Sequence, residues 1–174
     1  MARCHSRQVS LAPLLSLLAG ALVAPGAAWA QHQGNPPEAG PVIAVVEAAL
    51  QAISDEDMVA LTDLMLEGAV AWSVTPSGVV RMTRLEEREK VIEHDLLERG
   101  FDPQVRIAGG VATAWVPYDF HLNGAWSHCG VDVFTMVQVD GVWRIASMAW
   151  SVEQPPACSP HPVGPPGGTR PLRR

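Results

Sequence analysis

The sequence predicts an α+β domain, with helices in its first half and long antiparallel strands in its second. Apolar residues recur at helical spacing from Ile43 to Ile53. Long runs rich in valine, tryptophan, phenylalanine and threonine follow from Val111 to Val152. The dipeptides Asn123-Gly124 and Asp140-Gly141, which favour tight hairpins, divide those runs into strands. Helices followed by hairpin-linked strands indicate an α+β fold.

Composition and charge exclude several classes of function. The chain has 174 residues, of which 48% are hydrophobic, and it carries 18 acidic against 12 basic residues. This length and composition predict one folded domain with a real core, and they exclude a wholly disordered chain. The formal net charge of −6 argues against nucleic acid as the main partner, because binding it requires a basic surface.

Residues 1–30 have the layout of a secretory signal peptide. Arg3 and Arg7 make the start basic, and a nearly continuous apolar run follows from Leu11 to Val23. The run is short for a membrane span, and it leads into an A-W-A motif that ends at Ala30. We therefore expect cleavage after Ala30, export to the periplasm or the medium, and no membrane span in the mature chain.

Proline and glycine mark both ends of the folded domain. Residues 31–41 are polar with several prolines and glycines, and they predict a flexible lead-in. Residues 154–174 contain seven prolines and three glycines and show no apolar periodicity, which predicts a disordered tail. The folded domain then covers residues 42–153.

Capping and turn residues define the first elements. Pro41 suits the first turn of the first helix, and Ser54 with Asp57 three residues later begins a second, short helix. Apolar segments at residues 69–74 and 79–82 flank a Thr-Pro-Ser-Gly turn, which predicts a strand pair.

A third helix is predicted to follow that strand pair. Thr83 and Glu86 match a capping box, and Gly100 is placed to end the helix as a left-handed cap. Its apolar side consists of Leu85, Val91, Ile92 and Leu96. A short strand at residues 104–107 and the three long strands complete the domain.

The two hairpins fix a register for the long strands. If both loops are two residues long, Leu122 opposes Ala125, and counting back places Asp119 opposite His128. One face then mixes large aromatic and polar side chains: Trp115, Asp119, His121, Trp126, His128, Asp132, Phe134, Met136, Trp143, Ile145 and Ser147. A single-residue bulge in either hairpin would exchange the faces beyond it.

This mixed face has the composition of a ligand pocket, which is apolar with a few convergent polar groups. Trp115, Trp126, Phe134 and Met136 are the candidate ligand-binding residues, suited to a small apolar or aromatic molecule. The opposite face is mostly small and apolar, and it predicts either a packed layer or the contact of a homodimer.

Four motifs carry a resemblance to a known family. They are S-D-E-D at residues 54–57, A-W-V-P-Y-D-F at 114–120, H-C-G-V-D-V-F at 128–134 and G-V-W-R-I at 141–145. With them the sequence resembles secreted bacterial members of the nuclear transport factor 2-like superfamily, many of which are described as lumazine-binding or nuclear transport factor 2 family proteins. The resemblance covers roughly residues 42–152.

The resemblance implies a cone-shaped α+β fold, with about three helices packed on a curved antiparallel sheet around a pocket, and often a dimer formed through the sheet. Members of the superfamily include binding domains, assembly domains, dehydratases, isomerases and cyclases. The fold therefore implies no single activity, and no catalytic residue of a member is carried over.

The candidate catalytic residues are Asp119, His128 and Asp132. A carboxylate opposite an imidazole can orient it and raise its pKa, which makes a general base. Asp132 lies mid-strand among apolar residues, where burial would raise its pKa and make it an acid. The alternative for Asp119 and His128 is a structural cross-strand pair, and for Asp132 a structural hydrogen-bond partner.

Three functions stay open: an exported small-molecule-binding domain, a cofactor-free lyase, isomerase or cyclase using aspartate and histidine, and a non-catalytic dimerisation or docking module. The sequence has no nucleotide-binding fingerprint and no metal-ligand spacing, so we predict neither a cofactor nor a metal.

Cys129 and Cys158 remain after loss of the signal peptide, an even pair in an oxidising compartment. They either form a disulfide, or Cys129 is a buried strand residue and Cys158 a free thiol on the tail. The sequence gives no geometry to decide between these alternatives.

Overall fold

The computed structural model describes residues 34–166, so the predicted signal peptide and residues 167–174 of the predicted tail lie outside the described residues. A short 3-10 turn at Pro37–Ala39 precedes the main elements. These are α1 (Gly40–Ser54), α2 (Met58–Asp63), β1 (Met65–Thr75), β2 (Gly78–Thr83), α3 (Arg84–Arg88), β3 (Leu96–Gly100), β4 (Gln104–Ala108), β5 (Val111–Leu122), β6 (Ala125–Val139) and β7 (Val142–Ser151).

The seven described strands form one sheet in the order β2-β1-β7-β6-β5-β3, with β4 pairing along the other half of the β5 edge. The pairing of β1 with β7 is parallel, and the other described pairings are antiparallel. The predicted α+β fold with helices on a large sheet is confirmed. The sheet is mixed at β1, whereas the sequence predicted an antiparallel sheet.

The helices cover one face of the sheet, called the inner face below. An apolar stripe on α1, including Val42, Val46 and Leu50, is buried in the same core as Ala114 and Val116 of β5. The small residues of β5 therefore face the helices. This position contradicts the alternative in which the small-residue face makes a dimer contact, because helices already cover it.

The third helix is much shorter than predicted. Its capping box is present: the Thr83 backbone N–H donates to Glu86 at 2.6 Å, and the Glu86 N–H donates to the Thr83 hydroxyl at 3.3 Å. The helix ends at Arg88, and residues 96–100 form β3, paired with residues 118–122 of β5. Gly100 is not a left-handed cap. A Cβ there would lie 2.6 Å from Leu50, so close packing requires the glycine.

Two bulges correct the predicted register. The two-residue turns are present, with Asn123 and Gly124 at φ of 52° and 77°. The β5–β6 register shifts between Phe120 and His121, and the β6–β7 register shifts between Thr135 and Met136. An unpaired residue in one strand reverses the alternation of its side chains relative to the neighbouring strand.

The predicted pairing of Asp119 with His128 is therefore wrong. Asp119 pairs with Cys129, and His128 pairs with Phe120. Because neighbouring strand residues point to opposite faces, Asp119 lies on the outer face of the sheet and His128 on the inner face. The side chains of Asp119 and His128 therefore do not share one site.

Residues 154–166, called the C-terminal strap below, lie against the outer face. A disulfide joins Cys158 to Cys129 of β6, with the two Cα atoms 5.7 Å apart. The His161 backbone N–H donates to Asp119 at 3.0 Å. The expected disordered tail is thus wrong over these residues, because a covalent bond and hydrogen bonds hold a segment that has no apolar periodicity.

Candidate functional site

A cavity of about 190 Å³ lies between the helices and the inner face of the sheet. Its apolar and aromatic wall consists of Ile53, Met58, Leu61, Ile92, Leu96, Tyr118, Phe120, Met148, Trp150 and Val152. Five further lining residues are charged or ionisable: Glu87, Lys90, Glu98, His128 and Asp132. The cavity therefore combines apolar walls with a small set of polar groups, as ligand-binding cavities do.

Glu98 of β3 and Asp132 of β6 form a hydrogen-bonded carboxyl pair on the cavity wall. Burial raises the pKa of Glu98 to about 8. Burial also raises the pKa of Asp132, and the nearby Glu98 charge and hydrogen bond raise it further, so Asp132 is the donor of the pair. Asp132 is 3% exposed, and its Oδ2 atom accepts no hydrogen bond from an N–H or hydroxyl group within residues 34–166.

Tyr118 and His128 lie beside this pair on neighbouring strands. The Tyr118 hydroxyl donates to the Ser151 carbonyl at 2.7 Å, and burial raises its pKa. The His128 ring stacks on Phe120, with ring centroids 4.8 Å apart, and meets the Tyr118 ring edge-on at 5.8 Å. Burial lowers the pKa of His128, so its imidazole is neutral at pH 7.

A salt bridge occupies another part of the cavity wall. The Lys90 ammonium lies 2.9 and 3.0 Å from the two carboxylate oxygens of Glu87, which is buried. The same ammonium lies 5.9 Å from the centroid of the Trp150 ring, a cation–π distance. Glu87 and Lys90 therefore neutralise each other.

Asp119 belongs to a separate cluster under the C-terminal strap. Two Arg99 nitrogens donate to its two carboxylate oxygens at 2.9 and 2.6 Å, and His121 lies 3.4 Å away. Burial would raise the pKa of Asp119, but hydrogen bonds from Arg99 and from the His161 backbone lower it. The strap residue Gly164 accepts a further hydrogen bond from Arg99 at 2.9 Å. This arrangement is that of a structural ion pair outside the cavity.

The structure places only part of the predicted site in the cavity. His128 and Asp132 line it, whereas Asp119 does not. The four predicted ligand-binding residues lie elsewhere: Trp115 and Trp126 are 50% and 38% exposed, and Phe134 and Met136 are fully buried core residues. The bulge next to Phe120 explains why Trp115 lies outside the cavity. Relative to β6, it reverses which β5 side chains point to each face of the sheet.

Glu98, Tyr118 and Trp150 are lining residues that sequence reasoning missed. Glu98 falls within the third helix that the sequence predicts to end at Gly100, and Tyr118 and Trp150 fall on the opposite, mostly small and apolar face of the predicted sheet. Residues 96–100 read Leu-Leu-Glu-Arg-Gly, with two charged side chains in five, so this segment gives no local signal that distinguishes β3 from a helix.

Among residues 34–166, no group of three or more His, Cys, Asp or Glu side chains is placed to hold a metal ion. Within the same residues no helix has the length and apolar character needed to cross a membrane.

No family model matches the sequence, and no curated protein matches it. Solved structures do match its fold. A candidate calcium/calmodulin-dependent protein kinase II association domain from Xanthomonas campestris has a TM-score of 0.58 and 20% identity, covering 70% of this chain and 91% of its own.

Two further solved structures are similar in fold. A candidate scytalone dehydratase from Novosphingobium aromaticivorans has a TM-score of 0.54 at 11% identity, covering 66% of this chain and 83% of its own. A nuclear transport factor 2-like protein of unknown function from Pseudomonas putida has a TM-score of 0.53 at 12% identity, covering 69% and 90%. At these identities the likeness shows the fold alone.

Proposed function

The chain has the nuclear transport factor 2-like fold, and we propose that it is an exported protein that binds one small, largely apolar ring compound in its cavity. The observation that carries this proposal is the buried carboxyl pair of Asp132 and Glu98 in an otherwise apolar wall. Burying carboxyl groups opposes folding, and a free carboxyl oxygen adds to that free-energy cost. Polar groups retained in an apolar cavity are typical of binding sites.

The size of the cavity limits the ligand. An engineered apolar cavity of about 150 Å³ in another protein holds benzene. The cavity here, at about 190 Å³, accommodates a single ring with one or two small substituents. Tyr118, Phe120 and Trp150 offer aromatic surfaces for such a ring.

A second candidate function is acid–base catalysis on the bound molecule. The raised pKa of Glu98, about 8, leaves it able to accept or donate a proton near neutral pH. This candidate replaces the predicted Asp119–His128 base with the Asp132–Glu98 pair. A neighbour in fold named as a candidate scytalone dehydratase makes a dehydratase one reaction class to test, without assigning it to this chain.

Export and homodimerisation stay predictions from the sequence. A dimer contact would use the outer face of the sheet, since helices cover the inner face. The docking-module alternative is less favoured, because no side chain within residues 34–166 fills the cavity.

Native mass spectrometry of the purified protein, followed by extraction and identification of bound molecules, tests the proposal. Met148→Trp fills the cavity from β7, and Val142→Trp adds the same side chain at an exposed position of that strand. We expect a bound small molecule in the wild type and in Val142→Trp, and none in Met148→Trp. An unchanged bound mass in a folded Met148→Trp variant would contradict binding in this cavity.

Measuring conversion of the bound molecule distinguishes the binding function from the catalytic function. If the identified molecule is converted by the wild type and only bound by Asp132→Asn, the protein is an enzyme. If the wild type releases it unchanged, the binding function alone remains.

A further inference from the structure

We propose that the cavity selects a ring compound that carries an ammonium group, with the Asp132–Glu98 pair as its counter-charge. This inference rests on the proposed binding function and names the chemical class of the ligand.

Within the part of the chain that the structure describes, no cationic side chain is paired with the carboxyl pair. Glu87 is neutralised by Lys90, which lies 2.9 Å away. Arg99 neighbours Glu98 in β3, but its side chain lies on the outer face and binds Asp119 at 2.6 Å. Among the described lining residues, the one other basic group is His128, and burial keeps it neutral. Once Glu98 ionises, a ligand cation would supply the positive charge that balances it.

Asp132 provides an unused hydrogen-bond acceptor for that cation. Its Oδ2 atom accepts no hydrogen bond from an N–H or hydroxyl group of the described residues, although the side chain is 3% exposed. Its other interaction is with Glu98, which also lines the cavity. An ammonium group has only donors to offer, so it complements the Oδ2 atom of Asp132 and the ionised carboxylate of Glu98. A ligand carboxylate would instead be repelled by ionised Glu98.

The aromatic wall suits the same chemistry. Cations bind over the faces of tryptophan, tyrosine and phenylalanine, and these attractions strengthen when water is excluded. The Trp150 ring already holds one ammonium, that of Lys90, with its Nζ atom 5.9 Å from the ring centroid. Tyr118 and Phe120 line the wall close to the carboxyl pair.

Proton balance is satisfied without a further reactant. When the pair holds two protons, binding of the ammonium form releases one proton from Glu98 to solvent while Asp132 keeps its own. When the pair holds one proton, its single negative charge is balanced directly by the ligand. No covalent bond forms or breaks in either case.

Isothermal titration calorimetry with benzylamine, benzyl alcohol and benzoate at pH 7.5 tests this inference, since the three probes share one ring and differ in charge. We expect benzylamine, as its ammonium ion, to bind about tenfold or more tighter than benzyl alcohol, and benzoate to bind more weakly than both. Equal or tighter binding of benzyl alcohol or benzoate overturns the inference and leaves the proposed function intact. Failure of all three probes, with no co-purifying molecule, overturns both.

Two variants test whether the carboxyl pair causes the preference for the ammonium probe. Glu98→Gln keeps the shape of the pair and removes the group that ionises, whereas Asp132→Asn replaces the acceptor carboxyl by an amide whose N–H groups can oppose an ammonium. Each is expected to reduce the preference for benzylamine over benzyl alcohol to about threefold or less. Glu67→Gln removes the same charge at an exposed position of β1 and is expected to keep the preference. Retention of the full preference in both folded pair variants contradicts the role of the pair.

Discussion

Asp132 and Glu98 share a hydrogen bond although β5 lies between their strands in the sheet. Asp132 pairs with Val116 and Glu98 with Phe120, so the two carboxyl groups reach each other diagonally across β5. Tyr118 lies between those two β5 positions, and its strand partners are Gly100 and Gly130. Neither partner places a side chain beside Tyr118, and Leu50 and the Ser151 backbone pack closely at these two positions instead.

The carboxyl pair is expected to make the folded state less stable as pH rises from 7 to 8. The pKa of Glu98 is about 8 in the folded state against 4.5 normally, and that of Asp132 is also raised, so the folded state holds protons that the unfolded state has released. The free energy of unfolding then falls by on the order of 1 kcal/mol over this pH unit. The lowered pKa of His128 acts in the opposite direction, but only below its usual value of about 6.5.

Urea unfolding at pH 7.0, 7.5 and 8.0 measures this dependence. The double variant Glu98→Gln with Asp132→Asn removes both groups and is expected to show a nearly flat profile. A wild-type stability that rises over this range, or the same slope in the double variant, would show that the pair does not hold the protons.

The Arg99–Asp119 ion pair is expected to be a major stabilising element. Asp119 is fully buried, so Arg99→Gln leaves an uncompensated carboxylate and should lower the free energy of unfolding by about 3 kcal/mol. Because the pKa of Asp119 is lowered, the contribution of the pair is present above the usual pKa of about 3.9 and is lost as pH falls through the folded value.

Chemical unfolding at pH 7 compares this variant with two others. Arg99→Gln combined with Asp119→Asn should recover part of the loss, because the buried charge is gone. Asp63→Asn breaks an exposed ion pair with Arg88, at 2.7 Å, and should cost less than about 1 kcal/mol. Similar losses for Arg99→Gln and Asp63→Asn would contradict the importance of the buried pair.

Local sequence signals predicted the elements whose geometry is set by nearby residues. The capping box of Thr83 and Glu86 and the turn at Asn123-Gly124 occur where they were predicted. The fold class and its superfamily resemblance agree with the solved structures of similar fold. Caps and tight turns depend on residues close together in the chain, so they can be recognised in a single sequence.

The candidate site was only partly predictable because its register depends on long-range packing. The unpaired residue opposite Phe120 and His121 is Ser127, which carries no local signature of a bulge. The predicted register contains no bulge at this position, so it places Trp115 and Asp132 on the same face of the sheet. Similarly, residues 96–100 pair with β5 instead of continuing a helix, and the strap is ordered by a disulfide that sequence alone left undecided.

The disulfide between Cys129 and Cys158 is expected to stabilise the fold by about 3 kcal/mol, because it closes a loop with a sequence separation of 29. Cys158→Ser should lower the free energy of unfolding by that amount, while Ser159→Ala, next to it on the strap, should change it little. Urea unfolding with and without reductant measures both effects. Equal stability of Cys158→Ser and the oxidised wild type would contradict the contribution of the disulfide.

Gly130 is expected to be intolerant of any side chain. A Cβ at this position would overlap the Ser151 backbone of β7, whose carbonyl accepts the Tyr118 hydrogen bond. Gly130→Ala should therefore destabilise the protein by about 2–3 kcal/mol through forced strand displacement. Gly110→Ala is the matched control, since its Cβ would meet Gln138 at an ordinary 3.8 Å. Thermal unfolding distinguishes them, and equal melting temperatures would contradict the close approach of β6 and β7.

The affinity for an ammonium ligand is expected to rise with pH. Glu98 must be ionised to balance the ligand, and its pKa in the free protein is about 8, so raising the pH from 6 to 8 should tighten benzylamine binding by roughly tenfold or more. Asp132 and Tyr118 stay protonated over this range, and Lys90 stays paired with Glu87. The pKa of His128 is lowered by burial, so any positive charge that it carries at pH 6 is lost as pH rises, which acts in the same direction as ionisation of Glu98. Calorimetry at pH 6, 7 and 8 measures the trend, with benzyl alcohol as the probe whose affinity should stay nearly constant. An affinity for benzylamine that falls with pH, or that rises in parallel with that for benzyl alcohol, would contradict ionisation of Glu98 as the step that admits the cation.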